Sequence, residues 1–304
     1  MLLVIEQILN GLQLGITLFL MSAGLTLVFG IMQVINLAHG SFYMIGAYVG
    51  ASVAAMTGSF LLAIPAGLAA AAAVGAIVEF LVLRHLYNRE HLDQVLATFG
   101  LIMFFNEMTR IIWGRQPLFM DVPNWLSSTV SILPGLPYPA YRLAVIGVGL
   151  CVAFGLWFLF AKTRIGMQIR AGASNRMMVE ALGVNINRLY TLVFSLGTLL
   201  AGLAGVMAAP ILTVESGMGE SILILTFVVI VIGGIGSIKG AVAGALLVGM
   251  VDTLGRAFLP TIFRFIMDSA TADSLGASLA SMAIYILMAT ILVWKPRGLF
   301  PAHG

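Results

Sequence analysis

The chain has 304 residues, 61% of them hydrophobic and only 9% charged, with a formal net charge of +3 and a mean hydropathy of +1.07. A water-soluble domain of this length keeps a large wetted surface and needs far more polar sequence, so a soluble fold is excluded. The basic balance sits in loops between apolar runs, which points to the inner face of a membrane and away from nucleic acid.

The apolar runs are about 20 residues long and lack the period-two alternation of barrel strands, so they read as membrane helices. In chain order they predict helices over 8–30, 37–57, 60–83, 94–113, 143–161, 189–209, 221–236, 240–259 and 276–294. The seventh is short and Gly-rich, and 31–41 is polar for its depth. The expected fold class is therefore an all-α integral membrane protein. It is a polytopic helical bundle of about 8–10 transmembrane helices with broken or re-entrant segments, forming a single transmembrane domain over 1–304. The first nine residues hold Glu6 and no Lys or Arg, the wrong start for a signal peptide, so the first helix is expected to be retained. Cys151 lies within an apolar run and reads as a buried, inert thiol; one cysteine allows no intrachain disulfide, and no metal site is suggested.

Lysine and arginine set the orientation. Five of the 15 fall in one long loop, 162–188: Lys162, Arg164, Arg170, Arg176 and Arg188. Arg84 and Arg89 follow the third span, and Lys295 and Arg297 follow the last. Counting crossings puts all three regions on one face, which is then cytoplasmic, with the N-terminus periplasmic and the C-terminus cytoplasmic. The proline-bearing connection 114–142 (Pro117, Pro123, Pro134, Pro137, Pro139) becomes an external loop, as does 210–220 with Glu215 and Glu220. Small residues four apart recur at Gly11/Gly15, Gly46/Gly50, Gly197/Ala201/Gly205 and Gly236/Gly240/Gly244. In lipid such residues let helix backbones approach, so they are read as packing positions.

Three segments stand out chemically. In Val34–Tyr43, Asn36, His39 and Ser41 lie where the second span begins or bends, and Gly40 permits close approach. Polar groups at this depth face a cavity or another helix, so they line a translocation path or form a packing cluster. The second segment, Val231–Gly240, places Gly233, Gly234, Gly236 and Ser237 together; it lacks the ending of a phosphate loop and reads as a path-lining break or as a tight turn between spans. In the basic loop, Ser174 is expected to cap a short helix running to about Leu182, with Gly183 as its stop and Asn185 capping the next membrane helix. Met177, Met178 and Ala181 share one face of that helix, suited to docking on a membrane or a soluble partner. Of the acids Glu79, Glu107 and Asp252, the last is the best candidate for an ion site, although Arg256 four residues on favours a local ion pair. A hydrolase is disfavoured, because no acid accompanies His39 and Ser41.

At these residues a resemblance becomes specific. Ile35-Asn-Leu-Ala-His-Gly-Ser-Phe-Tyr-Met-Ile-Gly46, Thr163–Ala171 with Glu180-Ala-Leu-Gly183, and Ile232–Ala241 resemble three motifs of LivH-type permeases. Those are membrane subunits of branched-chain amino acid ABC importers. The likeness runs from about residue 10 to 300, and Lys239 departs from it. It implies a non-catalytic permease of a bacterial inner membrane that carries branched-chain or other hydrophobic amino acids. The implied partners are ABC ATPase subunits, a sister permease and a periplasmic substrate-binding protein. The pair is expected to be a heterodimer, with a homodimer left open. It implies no cofactor on this chain, ATP and magnesium being held by the ATPases. Arg170, Ser174, Arg176, Met177, Met178, Glu180, Ala181 and Gly183 would make the coupling segment, and Asn36, His39, Gly40, Ser41, Gly233, Gly234, Gly236 and Ser237 the path. Permeases of similar sequence are implied to carry urea or short amides, and an ion-coupled carrier is the alternative from another class.

Overall fold

The computed structural model describes residues 2–87 and 89–301; the last three residues of the basic C-terminus lie outside these. Among the described residues there are eleven α-helices, α1(Leu2–Met32), α2(His39–Thr57), α3(Phe60–Leu81), α4(His91–Trp113), α5(Ala140–Lys162), α6(Arg164–Ser174), α7(Arg176–Ala181), α8(Ile186–Ala208), α9(Met218–Gly233), α10(Ile238–Phe263) and α11(Ser269–Trp294). Seven of them, α1, α3, α4, α5, α8, α10 and α11, are long and apolar enough to cross a membrane. The protein is an all-α polytopic membrane protein. α2 is one turn shorter than most and carries its polar start, and α9 has only 16 residues. These two are the elements whose sequences looked broken.

The chain divides into two compact units. One comprises Met1–Ser22, Asn124–Gly149 and Leu225–Gly304, the other Ala23–Pro123 and Leu150–Ile224. In the second unit α2 is the central rod: every residue from His39 to Tyr48 is buried, and α3 and α8 pack along it. Small residues set these approaches. A methyl group on Gly46 would lie 2.5 Å from Gly202 Cα, and one on Gly197 would lie 2.9 Å from the carbonyl oxygen of Gly24. Without a hydrophobic drive between helices in lipid, such backbone proximity supplies the van der Waals contact that holds them together.

In the first unit α10 and α11 form the main pair, with Gly276 pressed on the backbone of Pro260. Gly249 packs likewise against Gly15. The connection 114–142 contains a small antiparallel hairpin, β1(Thr129–Leu133) and β2(Leu136–Pro139), turned at Gly135 with φ +87°. The sequence pattern shows a proline-rich loop there and no strand signal, since a four-residue strand with two prolines makes little periodicity. Tyr138 is buried and donates to Asn10 Oδ1 at 3.1 Å, which also accepts from Arg142.

Cys151 departs from expectation. It is exposed, because α5 turns most of its apolar surface outward. In a membrane an apolar run is as much at home against lipid as inside the protein, so hydropathy alone does not bury a side chain.

Candidate functional site

The break between α1 and α2 begins at Gln33, which adopts φ +53°, a left-handed end to α1. Asn36 then folds the chain back: its Oδ1 accepts the Ala38 N–H at 3.0 Å, and its backbone oxygen accepts the His39 N–H at 3.4 Å. This side-chain-to-backbone turn is why α2 starts at His39 and not two residues earlier. Asn36, His39, Gly40 and Ser41 are all buried and lie together. His39 sets its ring edge-on to Phe42, and its Nε2 lies beside Gly24. Gly40 meets Gly219 backbone to backbone, so closely that neither has room for a methyl group. Ser41, Met44, Ile102, Asn106 and Glu220 continue this seam, which has no room for a water-sized sphere. The seam is shut.

The Gly-rich segment before α10 is a tight turn. Gly234 and Gly236 carry φ +107° and +81°, and Ser237 Oγ accepts the Gly240 N–H at 3.1 Å to cap α10. The C-terminal segment of the chain closes the turn: Leu299 N–H donates to Ile232 O and Phe300 N–H to Gly233 O, both at 2.9 Å. Of the two readings open at the sequence level, the tight turn describes its geometry. Gly233, Gly234, Gly236 and Ser237 sit together in one unit and Asn36, His39, Gly40 and Ser41 in the other.

The basic loop folds as two short helices instead of one. Thr163 Oγ1 accepts from Gly166 N–H at 3.1 Å and starts α6, whose Gly166, Ile169 and Gly172 face inward. Ser174 is the last residue of α6, and the cap of α7 is Asn175, whose Oδ1 accepts Met178 N–H at 3.0 Å. Asn175 has the extended backbone (φ −152°, ψ 96°) that a cap requires, while Ser174 is still helical, so the expected serine cap is displaced by one residue. Gly183, at φ +86°, stops α7, and Asn185 caps α8 by accepting Arg188 N–H at 3.0 Å, as the sequence predicts.

On α7 only Val179 is buried. Met177, Met178 and Leu182 are 80%, 59% and 77% exposed, with Glu180 and Ala181 beside them. Arg170 is exposed as well, whereas Arg176 turns back and lies 5.3 Å over the Tyr190 ring. The result is an apolar tip on a basic loop.

The acids are paired. Asp252 Oδ1 accepts from Arg256 Nε at 2.8 Å, and Glu107 pairs with Arg110 at 2.5 Å. Glu79, passed over in favour of Asp252 as the candidate ion site, is fully buried and takes three donors: Tyr87 OH at 2.5 Å, Thr191 Oγ1 at 2.6 Å and Arg84 Nη2 at 3.3 Å. The available signal was an acid in an apolar run with an arginine five residues on. Burial of the Tyr87 ring, and then its bond to the Glu79 carboxylate, raise the phenol well above its ordinary pKa, so it stays a donor. At the other end of α4, Arg110, Arg115, Glu215 and Ser216 line a polar cleft of about 380 Å³. Leu118 and Val214 exchange both backbone hydrogen bonds beside it. Among the described residues no three His, Cys, Asp or Glu side chains gather as a metal site.

Residues 7–293 match the family model described as the branched-chain amino acid transport system / permease component. The chain belongs to that family. It is 28% identical over 309 residues to the high-affinity branched-chain amino acid transport system permease protein BraD of Pseudomonas aeruginosa, covering 97% of this chain and 95% of that one. To the corresponding permease LivH of Escherichia coli it is 28% identical over 288 residues, covering 88% and 90%. It is also 27% identical over 261 residues to the ribose import permease protein RbsC of Escherichia coli, covering 82% and 77%. No solved structure matches. The permease is thus a transport component, similar in sequence to permeases named for chemically different cargo.

Proposed function

We propose that this permease forms half of the path through an ATP-driven importer of branched-chain or other hydrophobic amino acids. A binding protein delivers the substrate from outside, and ATPase subunits drive the transport cycle from the cytoplasm. The observation that carries this reading is the α7 tip. Met177, Met178 and Leu182 are exposed at the end of a loop that also carries five basic residues, within a chain of the permease family. Flexible, polarizable methionines suit a groove that changes shape during a cycle, and the arginines around them favour an acidic rim.

On this reading the Lys- and Arg-bearing face is cytoplasmic, and the membrane is the bacterial inner membrane. The cleft of Arg110, Arg115, Glu215 and Ser216 then opens outward. A second permease, related or identical, completes the path, and ATP and magnesium are bound by the ATPases. The shut seam of Gly40, Ser41 and Gly219 is where the path would open, since Asn36, His39 and Ser41 lie buried along it. An ion-coupled carrier fits less well, because Glu79 and Asp252 are both engaged in ion pairs. Glu180→Arg tests the coupling assignment. Reversing the one acidic charge of the basic loop, and with it whatever basic group Glu180 meets on the partner, is expected to reduce both recovery of the ATPases with the permease and substrate uptake in vesicles. Unchanged recovery together with unchanged uptake would remove the assignment.

A further inference from the structure

A buried carboxylate in a membrane protein is held only by close donors, since neither water nor lipid solvates it. Glu79 has three donors, drawn from two places. Arg84 and Tyr87 come from the connection between α3 and α4, and Thr191 comes from α8. Arg84 Nη2 bridges further to Thr191 Oγ1 at 3.0 Å, and its guanidinium lies 4.7 Å over the Phe80 ring. The carboxylate therefore fastens the α3–α4 connection to the first turns of α8.

Two arms leave this knot. The first runs to the coupling segment: Tyr87 meets Tyr190 edge to face at 5.1 Å, and Arg176, the first residue of α7, lies 5.3 Å over the same Tyr190 ring. The second runs to the break before α2. Gln94, only 3% exposed, donates to Leu86 O at 3.2 Å and Arg89 O at 3.3 Å in the same connection. It accepts from Ile35 N–H at 3.3 Å, and Tyr190 OH reaches Ile31 O at 3.4 Å. All of these groups belong to one compact unit.

We propose that Glu79 is a positioning residue that ties the α7 coupling segment to the break preceding α2, so that displacement of one is passed to the other. The proposal rests on the reading of α7 as the ATPase contact. Glu79 touches neither substrate nor ATP; it acts through Arg84, Tyr87 and Thr191. Because these side chains bond to one another at short range, the knot moves as one piece or breaks, the behaviour required of an element that passes on a displacement. Gln94 and Tyr190 make the outward connections.

The test has two readouts. In the purified full-length chain carrying Cys151→Ser, paired spin labels at Gln33→Cys and Met177→Cys report the distance between the break and α7. Both sites are exposed. A narrow distribution is expected, broadened by Glu79→Gln and unaltered by Arg264→Ala, which breaks the Asp273 pair of the other unit. In the unlabelled permease with its ATPases and binding protein, Glu79→Gln is expected to lower substrate moved per ATP hydrolysed by about ten-fold, with ATPase recovery intact. Tyr87→Phe and Thr191→Val, which keep the charge pair, should give smaller losses in the same ratio. A distance distribution unchanged by Glu79→Gln would overturn the tie while leaving the ATPase reading standing. A broadened distribution with an unchanged transport-to-ATP ratio would overturn its role in coupling. Failure of the wild-type chain to hold any ATPase would remove the reading beneath it, independently of the distances.

Discussion

The two breaks look alike in sequence, each interrupting apolar runs with polar or glycine residues, yet they are built by different means. The break before α2 is held by side chains: Asn36 turns the backbone, Gln94 accepts Ile35 N–H, and the Gly40–Gly219 seam follows directly. The break before α10 is held mainly by backbone: two glycines at positive φ and the returning chain at Leu299 and Phe300, with the Ser237 side chain capping α10. A backbone closure satisfies its own polar groups and has little reason to move, whereas a closure made by side chains from several elements shifts when any of them does. The comparison favours the first break as the moving part and the second as a fixed corner.

The strongest way to break this comparison is at the glycine contacts. Gly40→Ala and Gly240→Ala each place a methyl group against a backbone carbonyl, of Gly219 and Gly233 respectively, which has no side chain to yield. Each is expected to cost about 1–3 kcal/mol or more, read as loss of monodisperse protein on heating in detergent, while Gly147→Ala, with open space around it, stays at wild type. If the α1–α2 break is the mobile one, Gly40→Ala should lose uptake at temperatures where Gly240→Ala is still folded and active.

Removing residues 298–304 sharpens the comparison from the other side. It deletes the Leu299 and Phe300 donors, each worth about 0.5–1.5 kcal/mol, and should speed amide exchange over 233–241. Exchange over 33–41 should be unchanged; equal acceleration at both would show that the breaks are not independently built.

The smallest effect belongs to the start of α11, remote in sequence from both breaks. Asp268 caps that helix, and hydrogen bonds from the Thr271 N–H and hydroxyl hold its carboxyl below the usual carboxylate range. A depressed folded value means the cap's contribution is complete above the unfolded carboxylate pKa, about 3.9, and is lost as pH falls through the lower folded value. Asp268→Asn should remove this acid-limb dependence from the melting profile and leave uptake at neutral pH unchanged.

Much of this molecule was legible beforehand because its signals are local. The lengths of the apolar runs, the stop at Gly183, the cap at Asn185 and the Asp252–Arg256 pair each depend on residues within a turn or two of each other. What escaped was non-local or one residue off. Ser174 and Asn175 are both good caps, and only the backbone at Asn175 decides between them. α6 was hidden because a short amphipathic helix among arginines reads as loop. Glu79 gave little sign, since its partner Thr191 lies 112 residues away.

The sequence by itself determined that this is a helical membrane protein, where its long helices run, and, through three ordered motifs, which family it joins. Only the tertiary structure decided which faces those helices bury. Lipid and protein interior are equally apolar, so composition marks Cys151 on its exposed helix and the wholly buried start of α2 in nearly the same way. What separates them is the set of glycines that let α2, α3 and α8 close on one another, and the few buried polar groups that had to find partners once they did.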